Sequence, residues 1–372
     1  MLVGVPREIK NNEFRVGLTP AAVREYVARG HEVLVETGAG LGIDADDAAY
    51  VAAGANIASS AAEVFSRAGM IVKVKEPQPS EWTQFRPGQI LFTYLHLAPD
   101  PAQARGLMES GVTAVAYETV TDAHGGLPLL APMSEVAGRL SIQAAATALQ
   151  KPNGGRGILL GGVPGVAPAK VVVIGGGVVG MHAARMAAGL GAEVTVLDRS
   201  VPRLRELDEL FAGRVRTRYS TIDALESEVL AADAVIGAVL IPGAAAPKLV
   251  SRAMLGKMKR GAVMVDVAID QGGCFETSHA TTHADPTYVV DGVIHYCVAN
   301  MPGAVALTSS HALNHATLPF GLALAGEGLA ALARDPHLRN GLNVHRGRIT
   351  HRAVAEALGE SFADPDAGGI AA

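Results

Sequence analysis

Residues 171–180 read "VVVIGGGVVG", an apolar run that passes into closely spaced glycines. Gly175, Gly177 and Gly180 form the pattern G-x-G-x-x-G, which is a weak signal by itself in a chain with 43 glycines. Here the pattern follows a predicted strand and opens a predicted helix, which is the context in which it binds a dinucleotide. We expect Gly175 to form the tight turn, Gly177 to admit a pyrophosphate and Gly180 to let helix and strand pack closely.

An acidic residue follows at the expected distance. Asp198 ends the next predicted strand, "AEVTVLD". A carboxylate at that position binds the adenosine ribose hydroxyls and repels a 2′-phosphate, which indicates NAD rather than NADP. The alternative is a cluster of turn glycines with a helix-capping Asp198. Arg199 and Arg203 either soften the preference for NAD or are solvated.

The composition argues against several functional classes. The chain has 372 residues, 49% of them hydrophobic, and 31 Lys and Arg against 36 Asp and Glu give a net charge of −5. The length suggests about two domains, and the interspersed charges argue against nucleic acid or an anionic membrane as the main partner. Charged Arg7, Glu8 and Lys10 precede any apolar core, so no signal peptide is expected.

Cysteine and histidine usage indicates neither a disulfide framework nor a metal centre. Cys274 and Cys297 are the only cysteines, so we expect a reducing cytoplasm, with each thiol either buried and inert or a nucleophile. His279 and His283 lack a helical pattern, so no metal is expected. The stretch 292–326 has no Asp, Glu, Lys or Arg, but its Pro, Asn and His residues indicate a buried helix rather than a membrane span.

The order of strand and helix signals predicts an α/β fold. One alternating series occupies the front of the chain, and a second begins at Lys170 and closes with a hairpin about Asp291-Gly292. Long apolar helices, the first beginning at Ser134, connect the two series. We therefore expect two Rossmann-like, doubly wound parallel-sheet domains. The nucleotide domain, residues 130–306, would be inserted into a substrate domain made of residues 1–129 and the C-terminal helices of residues 307–372, with the active site in the cleft between them.

Polar residues punctuate the first series at or after strand ends, where open parallel sheets bind ligands. Arg15 and Lys75 suit a carboxylate, and His96 suits proton transfer near neutral pH. The alternatives are a surface charge for Arg15 and a satisfied core histidine for His96. Lys73 is expected to be a snorkelling side chain.

The second series carries further candidates. Asp270 follows the predicted strand "AVMVDVAI", where a carboxylate can face the nicotinamide end of the cofactor or simply cap a turn. Asp266, inside that strand, is expected to be structural. Asn300 either bonds a cofactor amide or caps the next helix.

Segments spread almost from end to end of the chain together resemble the bacterial L-alanine dehydrogenase family: "VGVPREIKNNEFRVGLTP", "KVKEP", "LFTYLHLA", "YETV", "LLAPMSEVAGR", "GGVPGV", "VIGAVLIPG", "DVAIDQGGCFE" and "YCVANMPGAVALTSS". The resemblance implies a cytoplasmic homohexamer with the two-domain fold described above. It also implies the interconversion of L-alanine, NAD and water with pyruvate, ammonium and NADH.

The resemblance assigns roles to individual residues. Arg15 and Lys75 would hold the substrate carboxylate and carbonyl, His96 would be the general acid/base, and Asp270 a second proton-handling residue. Cofactor contacts are implied for Ser134, Gly175, Gly177, Val178, Val179, Gly180, Asp198, Arg203, Ser220, Val239, Leu240, Val267, Ala268, Ile269, Asp270, Val298, Ala299, Asn300 and Met301. One departure is His279, which stands where the family often has an Arg against the cofactor.

Two other functions share this architecture. One is the soluble NAD-binding subunit of proton-translocating transhydrogenase, and the other is an NAD-sensing protein without catalysis. The joint presence of Arg15, Lys75, His96 and Asp270 argues against both.

Overall fold

The computed structural model describes residues 1–239 and 246–365. Two compact units make up the chain. Unit 1 consists of Met1–Met133 and the chain from Gly303 onward, and unit 2 consists of Ser134–Pro302. The domain division placed after residues 129 and 306 stays a prediction.

Strands and helices alternate along most of the chain. The first part of unit 1 contains β1 (Leu2–Val5), α1 (Pro20–Ala28), β2 (Glu32–Glu36), α2 (Asp47–Ala52), β3 (Asn56–Ala58), α3 (Ala61–Arg67), β4 (Met70–Val72), α4 (Pro79–Trp82), β5 (Ile90–Thr93), α5 (Pro101–Ser110) and β6 (Thr113–Ala116). Helix α6 (Ala131–Ala148) leads into β7 (Lys170–Ile174), α7 (Val178–Gly189), β8 (Glu193–Asp198), α8 (Val201–Phe211), β9 (Arg216–Tyr219), α9 (Ile222–Ala231), β10 (Ala234–Gly237), α10 (Arg252–Leu255), β11 (Val263–Asp266), β12 (Thr287–Val290) and β13 (Val293–Tyr296). The chain then forms α11 (Ala306–Glu327), α12 (Leu329–Arg334), α13 (Pro336–Arg339), β14 (Leu342–His345), β15 (Arg348–Ile349) and α14 (Arg352–Leu358). Short 3-10 helices span Leu41–Ile43, Tyr117–Thr119, Lys151–Asn153, Val267–Gln271 and Met301–Val305.

Each unit is built on one sheet. In unit 1 the order is β15-β14-β6-β5-β4-β1-β2-β3, with β1 to β6 parallel and β14 and β15 added antiparallel. In unit 2 the order is β12-β13-β11-β10-β7-β8-β9, parallel except for β12. The predicted α/β class is confirmed. The predicted hairpin joins β12 to β13, and Asp291 and Gly292 both have positive φ, as a type I′ turn requires.

Two sequence expectations were wrong in detail. Helix α6 begins at Ala131 rather than Ser134, because Pro132 lies in its first turn, where proline is tolerated. The C-terminal segment was expected to be helical only, yet it contributes β14 and β15. These strands are short and without clear alternation, so only pairing defines them: β14 pairs with β6, and β15 pairs with β14.

The uncharged stretch 292–326 forms β13 and most of α11. Helix α11 buries four polar side chains, those of Ser309, Ser310, Asn314 and Thr317. Among the described helices, none combines the length and apolar character needed to cross a membrane.

Lys73 lies just beyond β4 and does not snorkel, contrary to expectation. It is 1% exposed, and its ammonium lies 3.2 Å from Glu8 Oε2 and 2.9 Å from Glu81 Oε1. Burial acts to lower the pKa of Lys73, but the charges of the two carboxylates outweigh it and the pKa is raised. Burying a long cation is tolerated here because two acceptors replace its hydration.

Replacing Lys73 by Met should lower the free energy of unfolding by about 3–5 kcal/mol at neutral pH, because Glu8 and Glu81 would remain buried without a counter-charge. Burial already raises the pKa of Glu8 above its ordinary 4.5 in the folded protein. The folded state then binds that proton more tightly than the unfolded chain, and stability falls as the pH rises above 4.5. The difference in the free energy of unfolding between Lys73→Met and the unsubstituted protein should therefore become smaller at acidic pH. Denaturant titration at several pH values measures it.

The matched control is Lys10→Met, which removes the Lys10–Glu76 ion pair. The Lys10 side chain is 37% exposed, so this change should lower the free energy of unfolding by only about 0–1 kcal/mol. Equal stability of the two variants at neutral pH would contradict the role assigned to Lys73.

Candidate functional site

Arg15 is held in the loop that follows β1. It is 2% exposed, and its Nε and Nη2 donate to Glu13 Oε1 and Oε2 at 2.7 and 2.6 Å, while Nη1 lies 3.1 Å from Met133 Sδ. Burial acts to lower the pKa of Arg15, but the hydrogen bonds and charge of Glu13 outweigh it and the pKa is raised. Arg15 is therefore a buried permanent cation, which rules out the surface-charge alternative.

Helix α11 holds the loop that carries Arg15. Ser310 Oγ accepts the Val16 N–H at 3.3 Å. Asn314 accepts the Thr19 N–H at 2.7 Å and donates to the Gly17 carbonyl at 3.0 Å. Any side chain at Gly17 would overlap the Val72 carbonyl at the end of β4. The buried polar residues of the uncharged stretch thus position Arg15, a role that sequence reasoning missed.

Lys75 follows β4 and differs from Lys73 in its partners. It is 8% exposed, and its carbonyl accepts a hydrogen bond from Thr93 Oγ1 at 3.1 Å. Within residues 1–239 and 246–365, its ammonium makes no hydrogen bond or ion pair with the protein. A poorly solvated ammonium with unused donors favours an anionic or carbonyl ligand.

His96 lies beyond β5 and is exposed, so the satisfied core histidine is the wrong alternative. Its backbone has φ 49°, in the left-handed region. Its ring stacks on that of Tyr94, with centroids 5.8 Å apart and planes 8° apart, and the Tyr94 hydroxyl donates to Leu129 O at 2.6 Å. The imidazole is thereby supported on one face and open to solvent.

Sheet topology brings these three residues to one edge of unit 1. Strands β5, β4 and β1 are adjacent and parallel, and His96, Lys75 and Arg15 follow their carboxyl ends. The carboxyl ends of adjacent parallel strands are where such sheets bind ligands.

In unit 2, the glycine loop has the geometry that a pyrophosphate needs. Gly175 has φ 102°, and a side chain there would approach the Ala238 carbonyl. A side chain at Gly180 would overlap the Gly175 carbonyl, whereas one at Gly177 would meet open space at the start of α7. The crowded positions shape the turn, and the open position at a helix N-terminus admits a phosphate. These residues fit NAD.

Asp198 and Arg203 both hold Gly176 of that loop, one through the peptide group before this residue and the other through the peptide group after it. Asp198 Oδ2 accepts the Gly176 N–H at 2.6 Å, and Arg203 Nε donates to the Gly176 carbonyl at 2.6 Å. Asp198 Oδ1 also accepts the Ser200 N–H at 2.7 Å, and the Ser220 N–H donates to the Asp198 carbonyl at 2.9 Å. The carboxylate therefore shapes the glycine loop at the end of β8, where a ribose would lie.

Most other predicted cofactor contacts follow neighbouring strands of the same sheet. The order β13-β11-β10-β7 groups the residues after these strands, which are Val178, Val179, Val239, Val267, Ala268, Ile269, Asp270, Val298, Ala299, Asn300 and Met301. Asp270 is exposed in the 3-10 helix after β11, and Ser134 is half-buried in α6. Leu240 lies outside the described residues.

The remaining candidates of unit 2 are explained by its packing. His279 stacks on Tyr288 with centroids 3.6 Å apart. Cys274 and Cys297 are buried, and burial raises the pKa of both thiols, to about 12 for Cys274, which opposes a nucleophilic role. No group of three or more His, Cys, Asp or Glu residues in the described chain is arranged to hold a metal ion.

Family models match both parts of the chain. The model for the N-terminal domain of alanine dehydrogenase/PNT matches residues 4–137, and the model for the C-terminal domain matches residues 141–352. The chain belongs to the alanine dehydrogenase/PNT family. Alanine dehydrogenase from Halomonas elongata is 61% identical over 365 residues, which are 98% of each chain.

Solved structures of this family show the same fold. An L-alanine dehydrogenase matches with a TM-score of 0.94 and 53% identity over 96% of this chain and 99% of that chain. A transhydrogenase from Sinorhizobium meliloti matches with a TM-score of 0.80 but 26% identity, over 95% of this chain and 100% of that chain. Within the family, the chain is much closer in sequence to the alanine dehydrogenase.

Asp198→Asn should reduce the preference for NAD over NADP by roughly 10- to 100-fold, since it removes the charge that repels a 2′-phosphate and weakens a charged hydrogen bond. Asp198→Ala should weaken NAD binding further, because the Gly176 N–H then loses its acceptor. The measurement is kcat/KM with each cofactor, and Asp208→Asn on the exposed face of α8 is the control. Equal use of both cofactors by the unsubstituted protein would contradict the prediction.

Proposed function

We propose that this chain, an NAD-dependent enzyme that interconverts L-alanine with pyruvate and ammonium, uses His96 as its general acid/base. Arg15 and Lys75 hold the substrate carboxylate and carbonyl, and Asp270 is a second proton-handling group. The observation that carries the proposal is the succession of Arg15, Lys75 and His96 after three adjacent parallel strands. The nucleotide domain proposed for residues 130–306 supplies the cofactor contacts.

NAD, which the glycine loop and Asp198 would hold, would supply the acceptor for the hydride that leaves the alanine Cα. Water then adds to the resulting substrate iminium, and ammonia leaves the carbinolamine. The neutral His96 imidazole accepts a proton from the substrate ammonium or the water and returns one to the departing nitrogen. Tyr94 supports one face of the His96 ring, and the exposed remainder of the ring has access to substrate and solvent.

The two cations of unit 1 have different tasks. The bonds of Arg15 Nε and Nη2 to Glu13 fix the plane of a guanidinium group, whose planar geometry suits a carboxylate. Lys75 offers a point charge that stabilises negative charge on the substrate oxygen as the carbonyl forms or is attacked. Lys75 is buried, so its attraction for an anion is weakly screened by salt, whereas the carboxylate of Glu13 already balances the charge of Arg15.

A homohexamer in the cytoplasm is part of the same proposal, supported by the family resemblance and by the two buried thiols. The competing function is that of a transhydrogenase subunit, which would bind NAD without oxidising an amino acid. The comparison at 26% identity makes it the weaker candidate.

An assay with NAD and each amino acid in turn tests the activity. L-Alanine should give the largest rate of NADH formation, measured by absorbance, because the relatives at 61% and 53% identity are alanine dehydrogenases. Binding of NAD without NADH formation from L-alanine would favour the transhydrogenase-like or sensing alternatives.

His96→Ala should lower kcat by roughly 10²–10⁴-fold, the usual contribution of a positioned acid/base. NAD affinity should persist, since the glycine loop and Asp198 belong to unit 2. The pH profile of alanine oxidation should differ between the unsubstituted enzyme and the variant, since the variant lacks the imidazole that accepts the proton. Steady-state rates and NAD titration measure both effects.

The control is His31→Ala. His31 precedes β2, so it lies at the amino ends of the strands, opposite the carboxyl ends that His96 follows. Its kcat and pH profile should match those of the unsubstituted enzyme. A His96→Ala enzyme with near-normal kcat would move the acid/base role elsewhere, first to Asp270.

A further inference from the structure

The backbone of His96 is in a conformation that its own sequence does not favour. With φ 49° it is a left-handed residue that is not glycine, and such residues persist only where the surrounding structure holds them. Because the direction of the imidazole follows from the backbone, whatever holds this conformation also aims the proposed acid/base.

Two side chains from different elements hold the Leu95–His96 peptide group from its two sides. Glu118, in the 3-10 helix after β6, accepts the His96 N–H at 2.6 Å on Oε1 and the Leu95 N–H at 3.2 Å on each oxygen. Gln103, 1% exposed in α5, donates from Nε2 to the Leu95 carbonyl at 2.9 Å. Asp100 in turn caps α5 by accepting the Gln103 N–H at 3.0 Å.

We infer that Glu118 is a positioning residue for catalysis, acting through the backbone of His96 with Gln103 as its counterpart. The inference rests on the proposed acid/base role of His96. The 2.6 Å bond to an ionised carboxylate is short and strong, as expected for a charge-assisted hydrogen bond. Its loss lets residue 96 leave the left-handed region, and the ring then leaves its place over Tyr94.

The first test compares three substitutions of Glu118. Glu118→Ala should lower kcat by ~10²-fold, because a small misplacement of a reacting group costs about that much. KM for alanine and NAD affinity should stay near their normal values, since Arg15, Lys75 and unit 2 keep their contacts. Glu118→Gln should recover most of the rate, because one amide oxygen can accept both N–H groups as Oε1 does now. Glu118→Asp should not, because it is one methylene too short.

Glu63→Ala is the matched control. Glu63 in α3 likewise accepts a backbone N–H, that of Ser59 at 3.0 Å, and its ion-pair partner is Arg67 rather than a residue of the site. The kcat of the Glu63→Ala enzyme should be unchanged. If Glu118→Ala fails to fold, as shown by thermal unfolding, Gln103→Ala releases the other side of the same peptide and should also lower kcat more than KM.

The second test is a double-mutant cycle. If Glu118 acts through His96, the Glu118→Ala/His96→Ala enzyme should be no slower than His96→Ala alone. Independent, multiplying effects would overturn the inference while leaving the acid/base role intact, as would a normal kcat for Glu118→Ala beside a slow His96→Ala. A normal kcat for His96→Ala would instead overturn the proposed acid/base assignment and the inference with it.

Discussion

The buried ammonium of Lys73 joins the parts of unit 1 that carry its candidate catalytic residues. Through Glu8 it holds the segment after β1, and through Glu81 it holds helix α4. Glu8 also accepts the Val74 N–H at 2.7 Å, and the Tyr117 hydroxyl donates to the Lys73 carbonyl at 3.0 Å. Lys75 and the loop that carries Arg15 therefore depend on Lys73, a cation that is itself buried and bonded only to the protein.

The same physical device recurs at the ends of other strands. Where a parallel strand ends, backbone N–H and carbonyl groups lose their partners in the sheet and must find others. Charged or amide side chains supply them: Glu118 and Gln103 hold the peptide group before His96. Asp198 accepts the N–H of Gly176, and Arg203 donates to its carbonyl. Loops built this way are rigid enough to carry chemistry although they have no regular structure.

Several features of the site are readable from the sequence, and others are not. The glycine spacing, the strand before it and Asp198 after it are local, so pattern and propensity predict them. The burial of Lys73 was missed and that of Arg15 was left open, because a charged residue is expected to be exposed until its carboxylate partner is known. Glu118 carried no signal, since nothing in "YETV" says that its carboxylate turns back to the preceding loop.

The sequence by itself determined the alternation of strands and helices, the dinucleotide loop and the order of candidate residues after strands. These depend on interactions within a few residues. Only the tertiary structure decided how the site residues are held, because the partners are distant in the chain: 65 residues separate Glu8 from Lys73, and 295 separate Thr19 from Asn314. The periodicity of the sequence carries no information about such pairs. Each contact stabilises the protein only after folding has brought its two residues together.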